Sequence, residues 1–286
     1  MRNRIVICGA RGQVGQFLTD EAQRLGHDVL ALNSSQWDIS DPDAGHGLVE
    51  PGDVVVNCAA YTAVDAAQTD ADKAHAVNAA GPGNVARVCA NAGARLIHIS
   101  TDYVFSGEFD GAPRPYDIGD EPAPLSVYGA SKLAGESAVH AVLPNAHVVR
   151  TAWVYTGVGG DFVGAIARKA DEAESIEVVA DQVGSPTYVG DLVSALLELI
   201  GGTITAPLLH AANAGAASRY DQARAVFEEI GADPGRVRPV PSDRHPRPAP
   251  RPAYSALSSR QSAAAGLTPL RPWREALAAA LSGLGR

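Results

Sequence analysis

The junction at residues 4–15 constrains this chain more than any other feature. Arg4-Ile5-Val6-Ile7-Cys8 is a short apolar run that ends at Gly9, and Gly12 and Gly15 follow at intervals of three, with a helical pattern from Gln13 to Leu25. A buried strand, a glycine turn and a helix in that order begin a parallel βαβ unit. Further continuous apolar runs stand at 28–32, 53–57, 95–99 and 146–150, without alternating polar residues. Helical segments near 70–92 and 126–142 separate the later ones. Strands with two apolar faces belong to a parallel sheet covered on both sides. The expected class is therefore α/β, a doubly wound parallel (Rossmann) sheet with a smaller C-terminal substrate-binding lobe. Residues 1–155 would form the first domain, rejoined by about 186–212. Residues 156–185 and 213–286 would form the lobe. There the pattern loosens: a helix near 161–172, strands near 176–180 and 207–211, helices near 190–200 and 219–230, and a last helix from about Trp273. The Pro-rich stretch 239–252 reads as an extended loop. Pro82 is expected to kink or split the 70–92 segment.

A chain of 286 residues, 46% hydrophobic and 19% charged, has globular composition and can bury a full core. No apolar run approaches the ~18 residues of a membrane span, and the N-terminus lacks the pattern of a signal peptide. Cys8, Cys58 and Cys89 are odd in number and set in apolar segments, so they read as reduced thiols of a cytoplasmic protein. The net charge of −9 is uneven. Residues 1–200 hold 12 basic and 26 acidic residues, whereas residues 201–286 hold 11 arginines and 6 acidic residues. The acidic balance argues against nucleic acid as a partner, and the basic C-terminal third suits a small anionic ligand. The eight histidines show no metal-ligand spacing, so no metal is expected. His98 reads as a core histidine, and Asp65, Asp70 and Asp72 as solvated carboxylates.

At the first βα turn, Gly9 suits the tight turn, Gly12 lets a pyrophosphate approach the backbone, and Gly15 lets helix and strand pack. The helix N-terminus offers its free N–H groups to the phosphate. Where a carboxylate would hold the ribose 2′-hydroxyl of NAD, the chain has Asn33 followed by two serines, and no acid before Asp38. Arg11 can reach a 2′-phosphate. These residues favour NADP(H) and leave NAD(H) open; Asp38 and Ile39 are placed against the adenine. Tyr128 and Lys132, four apart, share a helix face. An ammonium beside a phenol favours the phenolate, which suits a general acid/base. Thr101 ends the strand upstream.

The glycine triplet, NCAAYTAVD at 57–65, STDYVF at 100–105 and YGASKLAGE at 128–136 together resemble the extended short-chain dehydrogenase/reductases. RTAWVY at 150–155, DQVGSPTY at 181–188 and APRPAYSAL at 249–257 narrow the resemblance to the dTDP-4-dehydrorhamnose reductase family, along nearly the whole chain. The resemblance implies reduction of the C4 ketone of dTDP-4-dehydro-6-deoxy-L-mannose to dTDP-L-rhamnose. It implies a catalytic Thr101, Tyr128 and Lys132, with Tyr128 as proton donor and Lys132 on the nicotinamide ribose. Gly12, Gln13, Val14, Ala60, Tyr61 and Thr62 would line the cofactor, and Asp102, Tyr103 and Trp153 would contact the sugar. Arg251 and then Arg247 are placed on the diphosphate of the dTDP-sugar. Where some members carry carboxylates for a Mg²⁺-linked dimer, this chain has Phe17 and Gly190, so such a dimer is not expected; monomer and homodimer stay open. A dehydratase would carry Asp-Glu after the threonine, where Asp102-Tyr103 stands, and a 4-epimerase would carry an acidic ribose partner. A non-catalytic NADP-binding regulatory subunit is the alternative of another class; the retained Thr101, Tyr128 and Lys132 argue against it.

Overall fold

A computed structural model describes residues 4–172 and 174–282. The strands of three or more residues are β1 (Ile5–Cys8), β2 (Val29–Leu32), β3 (Val54–Asn57), β4 (Arg95–Thr101), β5 (His147–Thr151), β6 (Ile176–Val179), β7 (Leu208–His210) and β8 (Val237–Val240). The α-helices of nine or more residues are α1 (Gln13–Arg24), α2 (Gly81–Ala92), α3 (Val127–Val142), α4 (Phe162–Ala170), α5 (Val189–Ile200), α6 (Arg219–Glu229) and α7 (Trp273–Ser282). Six strands form one parallel sheet in the order β7-β5-β4-β3-β1-β2.

The uninterrupted apolar runs have the cause expected of them. Ile5, Ile7, Val54 and Val56 pack on one face with Leu18 and Ala22 of α1 and Leu192, Leu196 and Leu199 of α5. Val6, Cys8 and Val55 pack on the other with Val85 and Cys89 of α2 and Val139 of α3. With a side-chain period of two, strands covered on both faces have no polar face to show. The order reverses between β1 and β3, because β2 lies to one side of β1 and all later strands to the other. Ligands of doubly wound sheets bind at such a switch point, outside the carboxyl ends of the strands.

α5 and β7 return to this sheet, the helix against α1 and the strand beside β5. A second core lies among α4, α6 and α7 and the parallel pair β6–β8, around Tyr155, Val163, Val178, Val226, Phe227, Val237 and Leu277. Pro239 and Val240 therefore belong to a strand and not to the extended loop expected from residue 239. Pro239 lacks only a donor, which an edge strand tolerates. The segment near 70–92 is divided. A turn of α-helix at Ala71–His75 widens into a π-helical stretch at Ala76–Ala80, and Pro82 follows directly after it in the first turn of α2.

Candidate active site

At the switch point Gly9 has φ of +74°, and a Cβ there would lie 2.6 Å from the Ala59 nitrogen. Only glycine allows that backbone next to the segment that follows β3. Gly15 packs directly on the Gly9 carbonyl, where a side chain would collide, so it sets the approach of α1 to the turn and does not line the cleft. Gly12 is the N-cap of α1. No side chain caps it and no acid stands in the first turn. The free donors and the positive end of the helix dipole therefore face outward.

Two cavities flank this turn. One, of about 270 Å³, is lined by Gly9, Arg11, Gly12, Asn33, Ser34, Trp37, Asp38, Ile39 and Ala60, among others. The Asn33 carboxamide oxygen is engaged by the Ser35 N–H and hydroxyl, and Asp38 is engaged in the same way by Ser40. The second, of about 560 Å³, brings Arg11, Gly12, Gln13, Val14, Ala60 and Thr62 together with Thr101, Asp102, Tyr128, Lys132 and Trp153. Tyr61 lines neither cavity. Its N–H donates to the Asn78 side chain at 2.8 Å, and its hydroxyl points toward Asp70. An uncapped helix start, a glycine-only turn and a long cleft across the switch point fit a dinucleotide.

Local structure explains the cluster around Tyr128. Ser126 caps α3, accepting from the Gly129 N–H at 3.2 Å, which places Tyr128 in the first turn and Lys132 one turn on. Thr101, the last residue of β4, accepts from the Tyr103 N–H at 3.2 Å and donates to Asp102 at 3.1 Å. Asp102 is 2% exposed, accepts from the Ser255 hydroxyl at 2.5 Å, and burial raises its pKa to about 6. Lys132 is 3% exposed and donates to the Ile99 carbonyl at 2.6 Å; burial lowers its pKa to about 8. Tyr128 departs from expectation. Its pKa is pushed up, not down, because burial of the phenolate outweighs the contact with the Thr101 hydroxyl and no cation compensates.

A third cavity, of about 710 Å³, opens in the C-terminal lobe, and its lining includes Tyr103, Phe162, Lys169, Gln182, Arg219, Arg247 and Arg251. It meets the second where Arg219 lies over Trp153, 3.5 Å from guanidinium to ring centre. Trp153 has φ of +46°, a strained backbone for a bulky residue. Arg251 does not stand free. It donates to the Asp65 carboxylate and to the Ala249 carbonyl, and Arg247 lies 3.8 Å from the same carboxylate. Asp65 is therefore no solvated loop residue, and the guanidinium beside it holds its pKa low. Arg236 is also committed, to the carbonyls that end α4. The sequence reading missed Arg219. It lies 4.8 Å from the Phe162 ring, donates to the Gln222 side-chain oxygen at 3.3 Å and feels the Asp102 charge, but forms no salt bridge among the described residues. Its only signal in the sequence was its membership of the basic C-terminal third.

Phe17 and Gly190 line one groove with Asp20, Glu21, Arg24, Asp191 and Arg271. Arg271 forms a bidentate pair with Asp191, and no group of three His, Cys, Asp or Glu residues suited to a metal occurs among the described residues. No described helix is long and apolar enough to cross a membrane.

Comparison with known proteins covers nearly the whole chain. The model of the family described as "RmlD substrate binding domain" matches residues 2–285. The dTDP-4-dehydrorhamnose reductase of Mycolicibacterium smegmatis is 61% identical over 285 residues, 99% of this chain and 86% of that protein. The enzyme of the same name from Mycobacterium tuberculosis is 62% identical over 281 residues, 98% of this chain and 92% of that protein. Among solved structures, a dTDP-4-dehydrorhamnose reductase from Bacillus anthracis in complex with NADP superposes with a TM-score of 0.92 at 35% identity, over 99% of this chain and 100% of that one. Matches of this extent show kinship beyond the fold, and the chain belongs to the dTDP-4-dehydrorhamnose reductases of the RmlD substrate binding domain family.

Proposed function

We infer that this protein is an NADP(H)-dependent oxidoreductase that reduces the C4 ketone of dTDP-4-dehydro-6-deoxy-L-mannose, giving dTDP-L-rhamnose. One observation carries the reading: Tyr128, Thr101 and Lys132 meet at the end of a glycine-turn cleft, where the basic third cavity adjoins them. Residues of the first two cavities would hold the dinucleotide, with the α1 N-terminus on the pyrophosphate and Arg11 near the 2′-phosphate. Bound NADPH supplies the hydride for C4.

The chain's own residues handle the proton. Burial keeps Tyr128 protonated at neutral pH, the state a donor to the C4 oxygen must have. Thr101, hydrogen-bonded between Asp102 and the phenol, holds that hydroxyl in direction. Lys132 presents its remaining N–H bonds to the cleft, where the nicotinamide ribose would lie. Asp102, Tyr103 and Trp153 form the wall between the two cavities and would face the sugar. Arg219, stacked on Trp153, would take the diphosphate first, with Arg251 and Arg247 beyond it. The free Cys8, Cys58 and Cys89 support a reducing, cytoplasmic setting for the reaction.

The test is turnover of dTDP-4-dehydro-L-rhamnose followed by NADPH oxidation, with NADH run in parallel. Sugar-dependent oxidation that is faster with NADPH is the expected result. NADPH bound but never oxidised would instead support the regulatory subunit.

A further inference from the structure

Lys132 has a neighbour that the reading above leaves unused. His98, fully buried in β4, places Nε2 3.5 Å from the Lys132 Nζ, and its Nδ1 lies 3.2 Å from the Asn57 carboxamide nitrogen. The orientation of that carboxamide is fixed independently, since Asn57 Oδ1 accepts from the Ala59 N–H at 3.1 Å. Asn57 must therefore present an N–H to His98 Nδ1, which makes Nδ1 the acceptor. A neutral imidazole with Nδ1 as acceptor carries its proton on Nε2, and that N–H points at Lys132. Burial beside the Lys132 charge keeps His98 neutral.

We propose that His98, locked by Asn57 in the Nε2–H tautomer, is a positioning residue that fixes the direction and the basicity of Lys132. The amine lies between a donor and an acceptor. The Ile99 carbonyl accepts one N–H at 2.6 Å, while the His98 N–H meets the nitrogen from another side. A neutral amine satisfies both contacts. An ammonium satisfies only the carbonyl and faces a second donor, so the tautomer opposes its charge and adds to burial. The other groups that act on Lys132 are Glu136, one turn on in α3, and Cys58, which follows β3. Glu136 favours the ammonium but is itself engaged by Arg150 through two hydrogen bonds and by the Ser100 hydroxyl. Tyr128 lies one turn before on the same helix. The result is an amine that changes charge near neutral pH with its remaining N–H aimed into the cleft. This inference rests on Lys132 serving the reaction.

The direct test is ¹⁵N NMR of the histidine-labelled protein without cofactor. The His98 signals should show Nε2 protonated and Nδ1 unprotonated from pH 6 to 9. They should shift as Lys132 titrates, and that shift should vanish in Lys132→Met. A protonated Nδ1, or His98 signals that ignore Lys132, would overturn the assignment. Asn57→Asp turns Nδ1 into a donor and presents an Nε2 lone pair to the ammonium. The alkaline limb of kcat/KM should then move up by about one pH unit, as for a new charge partner; an unmoved limb in a folded variant also overturns it. Full turnover by Lys132→Met would instead refute the role given to Lys132, whatever the tautomer of His98.

Discussion

Replacing Arg219 with Met separates its charge from its packing. The guanidinium lies 3.5 Å over the Trp153 ring and 4.8 Å from Phe162, so an unbranched thioether of similar reach keeps most of the apolar contact. The lost cation–π attraction is worth about 0.5–2 kcal/mol, a modest fall in stability. The effect on binding should be larger. A charge-assisted hydrogen bond contributes about 1.5–3 kcal/mol, and Arg219, which donates to the neutral Gln222 oxygen and forms no salt bridge among the described residues, has no ion pair to break before it takes a diphosphate. At about 1.4 kcal/mol per tenfold, KM for the nucleotide sugar should rise roughly 10- to 150-fold. The affinity for NADPH should hold, because Arg219 lines the cavity of the C-terminal lobe and neither cavity beside the glycine turn. Asp102 supplies a second readout. Arg219 is one of the influences that hold its pKa down to about 6, so the variant should titrate Asp102 higher. Steady-state kinetics in the sugar, a fluorescence titration with NADPH and a pH profile cover all three. A KM within twofold of the parent, or a matching loss of NADPH affinity, would refute the placement of the diphosphate.

Tyr128→Phe retains the ring and removes the donor, so kcat should fall about 10²- to 10⁴-fold with NADPH affinity little changed; undiminished single-turnover reduction would remove Tyr128 from the mechanism. Arg11→Ala should weaken NADPH by about 1.5–3 kcal/mol and spare NADH, whereas equal losses by calorimetry would mean that Arg11 only shapes the turn. Asp65→Asn frees Arg251 from a half-buried ion pair worth about 0.5–1 kcal/mol, so KM for the sugar should drop two- to fivefold; a rise would show that Asp65 holds Arg251 in place for the substrate. Asp102→Asn tests a burial cost. The folded pKa of about 6 lies above the ordinary 3.8, so the native state prefers the protonated acid, and stability is lost as pH rises from about 4 to 6. The variant should gain up to about 3 kcal/mol at pH 7.5 and little at pH 4, and an equal gain in urea denaturation at both would show another cause.

The parts of this fold and site that are legible in the sequence are those set by near neighbours in the chain. Ile5, Val6, Ile7 and Cys8 announce a doubly covered strand because burial on both faces leaves no polar position. Tyr128 and Lys132 can be paired on paper because a helix turn brings residues four apart to one side. Thr101 follows from the end of an apolar run. Asp65 and Arg251 lie 186 positions apart, and two charged loop residues at that separation carry no sign that they will pair. The pKa of Tyr128 was misread for a related reason. Spacing shows the nearby ammonium but not the depth of burial, and burial decides the direction.

Arg219 shows the same limit most sharply, and it also shows what a sequence would need to carry for such a residue to be seen. As one of eleven arginines after residue 200, it differs from the others only through the ring it covers. That ring comes from Trp153, which directly follows the short Thr151–Ala152 stretch at the end of β5 and turns into the cleft with a left-handed backbone. Such a conformation in a bulky residue costs of order 1–3 kcal/mol and persists only where the surroundings impose it. Here they do: the ring is set between the guanidinium and Gly184, where a Cβ would collide with it. The strained tryptophan, the glycine that admits it and the arginine that covers it thus form one unit drawn from three distant segments. Each has an ordinary local reading, and only the folded chain brings them together where the second cavity meets the third, the place proposed above for the join of sugar and diphosphate.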